Sequence, residues 1–351
     1  MKKNFQKLFS SFKNNLRFKV SRSSVKNFFQ DNFLTRRGLK STSYWLFLFI
    51  PFLILSLVIL TIIIYILVQG LPYIKWNFLW KDYNPSDLKH SGVAPFVVST
   101  LLIIVFTIII AFPVSLFAAI YLNSPHKSIV KKILNFLMML LNSIPSLVIG
   151  LVGLSLFVET LRLGYVGFSI IAGAFTLCFV VLPTMTFGFL ESFNTVSKDT
   201  IYNCYALGAT SSQINFKMII PLAKNGIIST IILTVNRIIG ESAPLLLTMG
   251  GAYFLPHNIF DQGRTLTAAV YLLFQESRDP YAVHFAYAMI IIILLIIIVL
   301  NFTAKQIINK MNVSSGIKPK RHWINKSYRF LLSKIKFKNS KNCKIKSTET
   351  K

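Results

Sequence analysis

The sequence predicts an all-α integral membrane protein with six transmembrane helices, and three observations carry that prediction. The 351 residues are 54% hydrophobic with a mean hydropathy of +0.59. Apolar runs recur at the length of about 20 residues that spans a bilayer, and all but one lack charges in their interiors. The charge is concentrated at the ends: of the formal +27, residues 1–40 hold eleven Lys or Arg against Asp31, and residues 305–351 hold fourteen against Glu349. Basic ends flanking apolar spans suit an anionic membrane face, and no nucleic-acid motif accompanies them.

Residues 1–43 form a basic tail expected on the cytoplasmic side. Within it Phe5, Leu8, Phe9, Phe12 and Leu16 recur at helical spacing among Lys2, Lys3, Lys7 and Lys13. An amphipathic helix on the membrane surface and a disordered basic tail both fit that pattern. The first span, Tyr44 to Val68, is too long for a signal-peptide core and is expected to remain as an anchor. Residues 44–92 comprise this span and an outer loop. Tyr44 and Trp45 at one end, and Trp76 and Trp80 beyond the other, suit aromatic rings at headgroup level.

The remaining spans are Val93 to Leu122, Ile133 to Val158, Tyr165 to Leu190, Gly226 to Met249 and His284 to Ala304. Six spans return the chain to the side on which it began. With the basic tails inside, residues 123–132 and 191–225 are cytoplasmic, and Lys127, Lys131 and Lys132 in the first of these agree. Pro51, Pro95, Pro113, Pro145, Pro183 and Pro244 lie in or beside spans, where each frees a backbone carbonyl and permits a kink.

Cys178, Cys204 and Cys343 are scattered, which supports neither a disulfide framework nor a CxxC site, and the five histidines show no i, i+4 pair for zinc. Glu159 and Arg162 fall at a span end and read as solvated. Ser146 and Ser242 read as helix-packing residues. No HxxxxD pair, metal cluster or nucleophile with a neighbouring base supports a membrane-embedded enzyme, the first rival reading. A membrane anchor, the second rival, leaves the charged pair described next unexplained.

Arg237 and Glu241 stand four residues apart inside the fifth apolar run, in the string Arg237-Ile-Ile-Gly240-Glu241-Ser242-Ala243-Pro244-Leu245. On one continuous helix both side chains share a face. An unpaired charge at bilayer depth costs several kcal/mol, so the pair faces protein or a water-filled path. Arg237 is the candidate to attract an anion through its planar fork of donors, with Glu241 holding it and tempering its affinity. A buried ion pair that only fixes helix packing is the competing reading.

The loop Glu191 to Lys224 reads as helix, break, short helix, proline. Gly208 ends the first helix in a left-handed cap, Thr210 and Gln213 match a capping box, and Pro221 limits the second helix and turns the chain towards the fifth span. The product is a rigid elbow. Ile214 and Phe216 near its tip are expected to dock on another protein.

Gly208, Met218, Ile220 and Pro221 stand at the spacing of the cytoplasmic loop of ABC importer permeases, and the chain resembles that family here. The usual Glu-Ala-Ala is replaced by Tyr202, Asn203 and Cys204. The Arg237 to Leu245 string resembles the fifth-span motif of phosphate importer permeases of the PstA family. Ser99 to Leu102, Ala118 to Leu122, Asn142 to Leu151, and Ala172 to Leu177 with Leu182-Pro183 extend the resemblance over roughly 93–304.

The resemblance implies a type I (MetI-like) permease core over 93–304 with an added N-terminal span, a coupling loop at 191–225 and a basic cytoplasmic tail at 305–351. It implies a permease subunit for inorganic phosphate, with phosphonate or molybdate as the nearest alternatives. The implied partners are a second permease (PstC-like), an ATPase dimer (PstB-like), an extracytoplasmic phosphate-binding protein (PstS-like) and membrane lipid, with no nucleic acid. The coupling residues would be Gly208, Ala209, Thr210, Ser211, Ser212, Gln213, Ile214, Phe216 and Pro221, and the path residues Arg237 and Glu241. No Gly-x4-Gly-Lys-[Ser/Thr] loop is present, so this chain is expected to bind no cofactor; ATP and Mg would belong to the partner ATPase.

Overall fold

The computed structural model describes residues 36–124, 128–276 and 280–314. The basic tails, with the amphipathic pattern at Phe5 to Leu16, lie largely outside the described residues. The chain divides into two units, Met1–Ile66 and Leu67–Lys351. Helix α1 (Arg36–Gly70), which lies in the first unit as far as Ile66, starts eight residues ahead of the expected Tyr44 and runs unbroken through Pro51. Its apolar surface is open along the described length, as lipid-facing surface is.

In the second unit, all described elements are helical apart from one isolated bridge between Val166 and Phe168. Helix α2 (Ala94–Asn123) begins with Pro95 in its first turn, where the missing N–H costs nothing. The third apolar run is two helices: α3 (Ile129–Ser143), capped by Ser128, and α4 (Ser146–Gly153), which continues as a wide turn over Leu154–Thr160. They meet at 103°, which corrects the expectation of one continuous span over 133–158. Pro145 drives Ile144 to ψ 130°, out of the helical region. The new direction of α4 is fixed by contact: a Cβ on Gly150 would lie 2.7 Å from Pro244 Cα, and one on Gly153 2.3 Å from Thr176 Oγ1.

Helix α5 (Ile170–Asn194) starts at Ser169, whose hydroxyl accepts from Ala172 N, and is the centre of the unit. Its apolar window is 72% buried, against 28% for α2, so α5 is the helix the others surround. Leu177, Met185, Phe189 and Phe193 from α5 close the core with Phe96, Ile103 and Phe285.

Helix α6 (Lys198–Ala206) leads to Gly208 and then to α7, a continuous helix over Ser211–Gly240. Pro221 does not limit a short helix here, contrary to expectation. A π turn over Ile214–Ile219 widens the backbone ahead of it, relieving the clash with the carbonyl four residues back. Gly188 of α5 faces Thr230 of α7, and Gly226 faces Ser192, each so closely that a Cβ would overlap, so small residues set this helix pair.

The fifth run is also broken. α7 stops at Gly240 and a separate helix α8 (Ala243–Thr248) follows, so the span expected over 226–249 is displaced to 211–240. Pro244 would clash with the carbonyl of Gly240 in a continuous helix. Helix α9 (Leu266–Glu276) lies between the expected fifth and sixth spans, where no helix was expected, and α10 (Pro280–Ser314) runs past the expected end at Ala304. Among the described residues five single helices are long and apolar enough to cross a membrane, or six if the bent α3–α4 pair counts as one span.

Candidate functional site

Arg237 lies in the last turn of α7, and Glu241 is the residue after the helix ends, with extended backbone (φ −81°, ψ 123°). The two are therefore not on one helical face, as expected from sequence. They nonetheless meet, with Arg237 Nε 3.6 Å from Glu241 Oε1. That is an ion pair rather than a hydrogen bond. The hydrogen bond of Arg237 goes from Nη1 to the hydroxyl of Thr184 on α5, a partner that sequence does not reveal.

The break explains why both charges are tolerated. A helix C-terminus carries unpaired carbonyls and partial negative charge, which favours Arg237 and disfavours Glu241 unless a cation is beside it. Thr267 of α9 donates to the Glu241 carbonyl at 3.3 Å, taking up one polar group of the broken end. Thr184 is the fifteenth of the 25 residues of α5, about 21 Å along a helix of about 36 Å. The pair thus sits at mid-helix depth. Its side chains keep 35% and 19% of their surface exposed.

Next to Arg237 in sequence, the amide of Asn236 bonds Asn301 of α10 at 3.0 Å. Sequence reading passed over both residues, since only the 65-residue pairing gives them meaning. Gly240 faces open space, whereas Pro244 is buried against Gly150. Ser146 begins α4 and Ser242 precedes α8.

The elbow is built by local chemistry. Gly208 adopts φ +82°, the left-handed region that glycine enters without penalty. The Thr210 hydroxyl accepts from Gln213 N at 3.3 Å, and the Gln213 side chain accepts from Thr210 N at 2.9 Å, a complete capping box. Ser212, Gln213 and Phe216 face outward, Ala209 and Ser211 are half-buried, and Pro221 is exposed on the widened part of α7. Ile214 departs from expectation: it is only 2% exposed and lines a cleft of about 270 Å³ with Phe193, Val196 and Ile219, so it cannot dock elsewhere. Leu207 takes the outward role instead, 87% exposed beside Gly208 and near exposed Tyr202.

A charged pair at the break of one helix, surrounded by further apolar helices, defines a multi-pass α-helical membrane protein built around an interrupted span. More particularly, the chain belongs to the family of binding-protein-dependent transport system inner membrane components, whose family model matches residues 111–313. It is 42% identical over 181 residues to a phosphate transport system permease protein PstA homolog of Mycoplasma pneumoniae, covering 50% of this chain but only 27% of that one. It is 30% identical over 234 residues to the probable phosphate transport system permease protein PstA of Methanocaldococcus jannaschii, covering 66% of this chain and 81% of that one. The chain thus spans about a quarter of the Mycoplasma relative and most of the archaeal one. Among solved structures, a chain of a bacterial alginate ABC transporter in complex with a pentasaccharide-bound periplasmic protein shares the fold. The TM-score is 0.57 at 13% identity, covering 79% of this chain and 96% of that chain.

Proposed function

We propose that this chain is the permease subunit through which inorganic phosphate crosses the membrane in an ATP-driven importer. The observation that carries the proposal is Arg237, held by Thr184 and Glu241 at the end of an interrupted helix with its side chain part-exposed. The guanidinium draws a phosphate to mid-depth, and Glu241 supplies the repulsion that lets it leave. The names of the Mycoplasma and archaeal relatives support phosphate over other oxyanions.

A second permease subunit completes the path, and an extracytoplasmic binding protein delivers the anion. A separate ATPase pair supplies ATP and Mg chemistry from the side of the elbow, which makes that side and both basic tails cytoplasmic. Leu207, Ser211, Ser212, Gln213 and Phe216 form the surface the ATPase grips, and its closure moves α6 and α7 as a body.

Phosphate uptake is the test. Arg237→Lys and Glu241→Gln variants that still assemble are expected to lose most uptake, and normal uptake in both removes the pair from the path. Crosslinks from Ser211→Cys or Ser212→Cys are expected to reach the ATPase subunit; their consistent failure to do so removes the elbow from coupling.

A further inference from the structure

A second cationic cluster follows the Gly70 end of α1, shares no lining residue with the Arg237 pair and is independent of the transport reading. A cavity of about 230 Å³ is lined by Lys75, Lys81, Lys89 and His90 together with Tyr73 and Tyr281. Tyr73 and Tyr281 close two apolar spans, Phe47–Tyr73 and Tyr281–Lys310, so the cavity sits at the boundary between apolar and polar surface. Trp76 and Trp80 beside it are 83% and 74% exposed, as expected of rings at headgroup level.

The cavity has a fixed frame. Gly92 N bonds Asp82 O at 2.9 Å and Val93 N bonds Phe78 O at 2.9 Å, which ties both ends of the loop together. Ser91, 6% exposed, shares its one hydroxyl proton between Asn84 O and Asp87 O, each 2.7 Å away, and accepts from Asn84 N. A Cβ on Gly92 would strike Lys81 O at 2.2 Å, so the segment bearing Lys81 and the one leading from Lys89 to Gly92 are pressed together. Phe78 anchors the base against Phe285, rings 4.9 Å apart.

The charge balance is one-sided. Among the described residues no carboxylate lies within ion-pair distance of the three lysines. The nearby Asp87 is engaged by His90 at 2.8 Å, and that hydrogen bond holds its carboxyl below the ordinary value. Three lysines, with the Asn77 side-chain amide in the same walls, select an anion rich in acceptor oxygens.

We propose that this cavity binds a phosphate group, supplied either by the headgroup of an anionic phospholipid or by free inorganic phosphate. Each lysine is expected to contribute about fivefold in affinity.

The test uses the full chain in lipid nanodiscs with Trp45→Phe and Trp323→Phe, so that only Trp76 and Trp80 emit. In one arm, brominated phosphatidylglycerol is compared with brominated phosphatidylcholine as quencher. In the other, inorganic phosphate is titrated into phosphatidylcholine discs and the emission followed. A preference for phosphatidylglycerol that falls at least tenfold in the Lys75→Gln, Lys81→Gln, Lys89→Gln triple variant assigns the lipid. A lysine-dependent phosphate response assigns the free ion. The triple Lys→Arg variant is expected to keep the response, which separates lost charge from lost fold. Absence of any lysine-dependent response in both arms overturns the proposal.

Discussion

Asn236 and Asn301 exchange amide hydrogen bonds, Asn236 Nδ2 to Asn301 Oδ1 at 3.0 Å and Asn301 Nδ2 to Asn236 Oδ1 at 3.5 Å. This pair links α7 to α10 one residue from Arg237. Polar bonds between helices in membranes are worth about 0.6 kcal/mol on average. Asn236→Leu and Asn301→Leu are each expected to cost roughly that much, with a double-mutant cycle showing coupling of similar size. Unfolding in mixed micelles measures it, and strict additivity would refute the link.

Gly208 has φ +82°, yet a Cβ there would meet nothing within 4 Å. The cost of a side chain is therefore backbone strain alone, about 1–2 kcal/mol for alanine and less for asparagine, which visits the left-handed region more readily. Hydrogen exchange at residues 206–213 is expected to rise in Gly208→Ala and much less in Gly208→Asn. Equal protection in both variants would contradict this.

The capping box predicts an order of effects. Thr210→Val removes the acceptor for Gln213 N and is expected to cost about 1 kcal/mol. Gln213→Ala frees only the Thr210 N–H, which lies at an exposed position where water can replace the lost partner, so it costs less. Local exchange in the first turn of α7 ranks the two variants, and a larger effect of Gln213→Ala would reverse the reading.

Gly150 meets Pro244 backbone to backbone. Gly150→Val is expected to destabilise by about 1–3 kcal/mol through overpacking. Because Pro244 lies three residues beyond Glu241, phosphate uptake is expected to fall with it, whereas Gly240→Ala, facing open space, leaves packing intact. Uptake and thermal unfolding measured together check the contrast.

The features legible in sequence are those decided within four residues. The left-handed turn at Gly208 and the reciprocal bonds of Thr210 and Gln213 need no distant partner, and apolar length alone marks the spans. Proline behaviour was not legible, because the residue type is the same at Pro145, Pro221 and Pro244 while the outcomes differ. Pro145 reorients the chain because α4 finds contacts at Gly150 and Gly153, and Pro221 is absorbed by a wide turn. Arg237 was visible as a charge in an apolar run. Its hydrogen-bond partner, Thr184, lies 53 residues away and carries no local signal. Ile214 was misplaced for a related reason: an apolar residue near a loop tip reads as outward until the packing of α5 and α7 shows it filling a cleft.

The unbroken course of α7 has a mechanical consequence. From Ser211 to Arg237 the helix is a rod about 40 Å long, with one end at the capped turn and the other at the guanidinium. A pivot of only about 5° on such a lever shifts its far end by about 3.5 Å, more than the length of a hydrogen bond. Glu241, which follows Gly240 directly, travels with Arg237 in such a tilt, so a small push at the elbow makes or breaks the bond of Arg237 to Thr184 on α5 without unwinding a single turn.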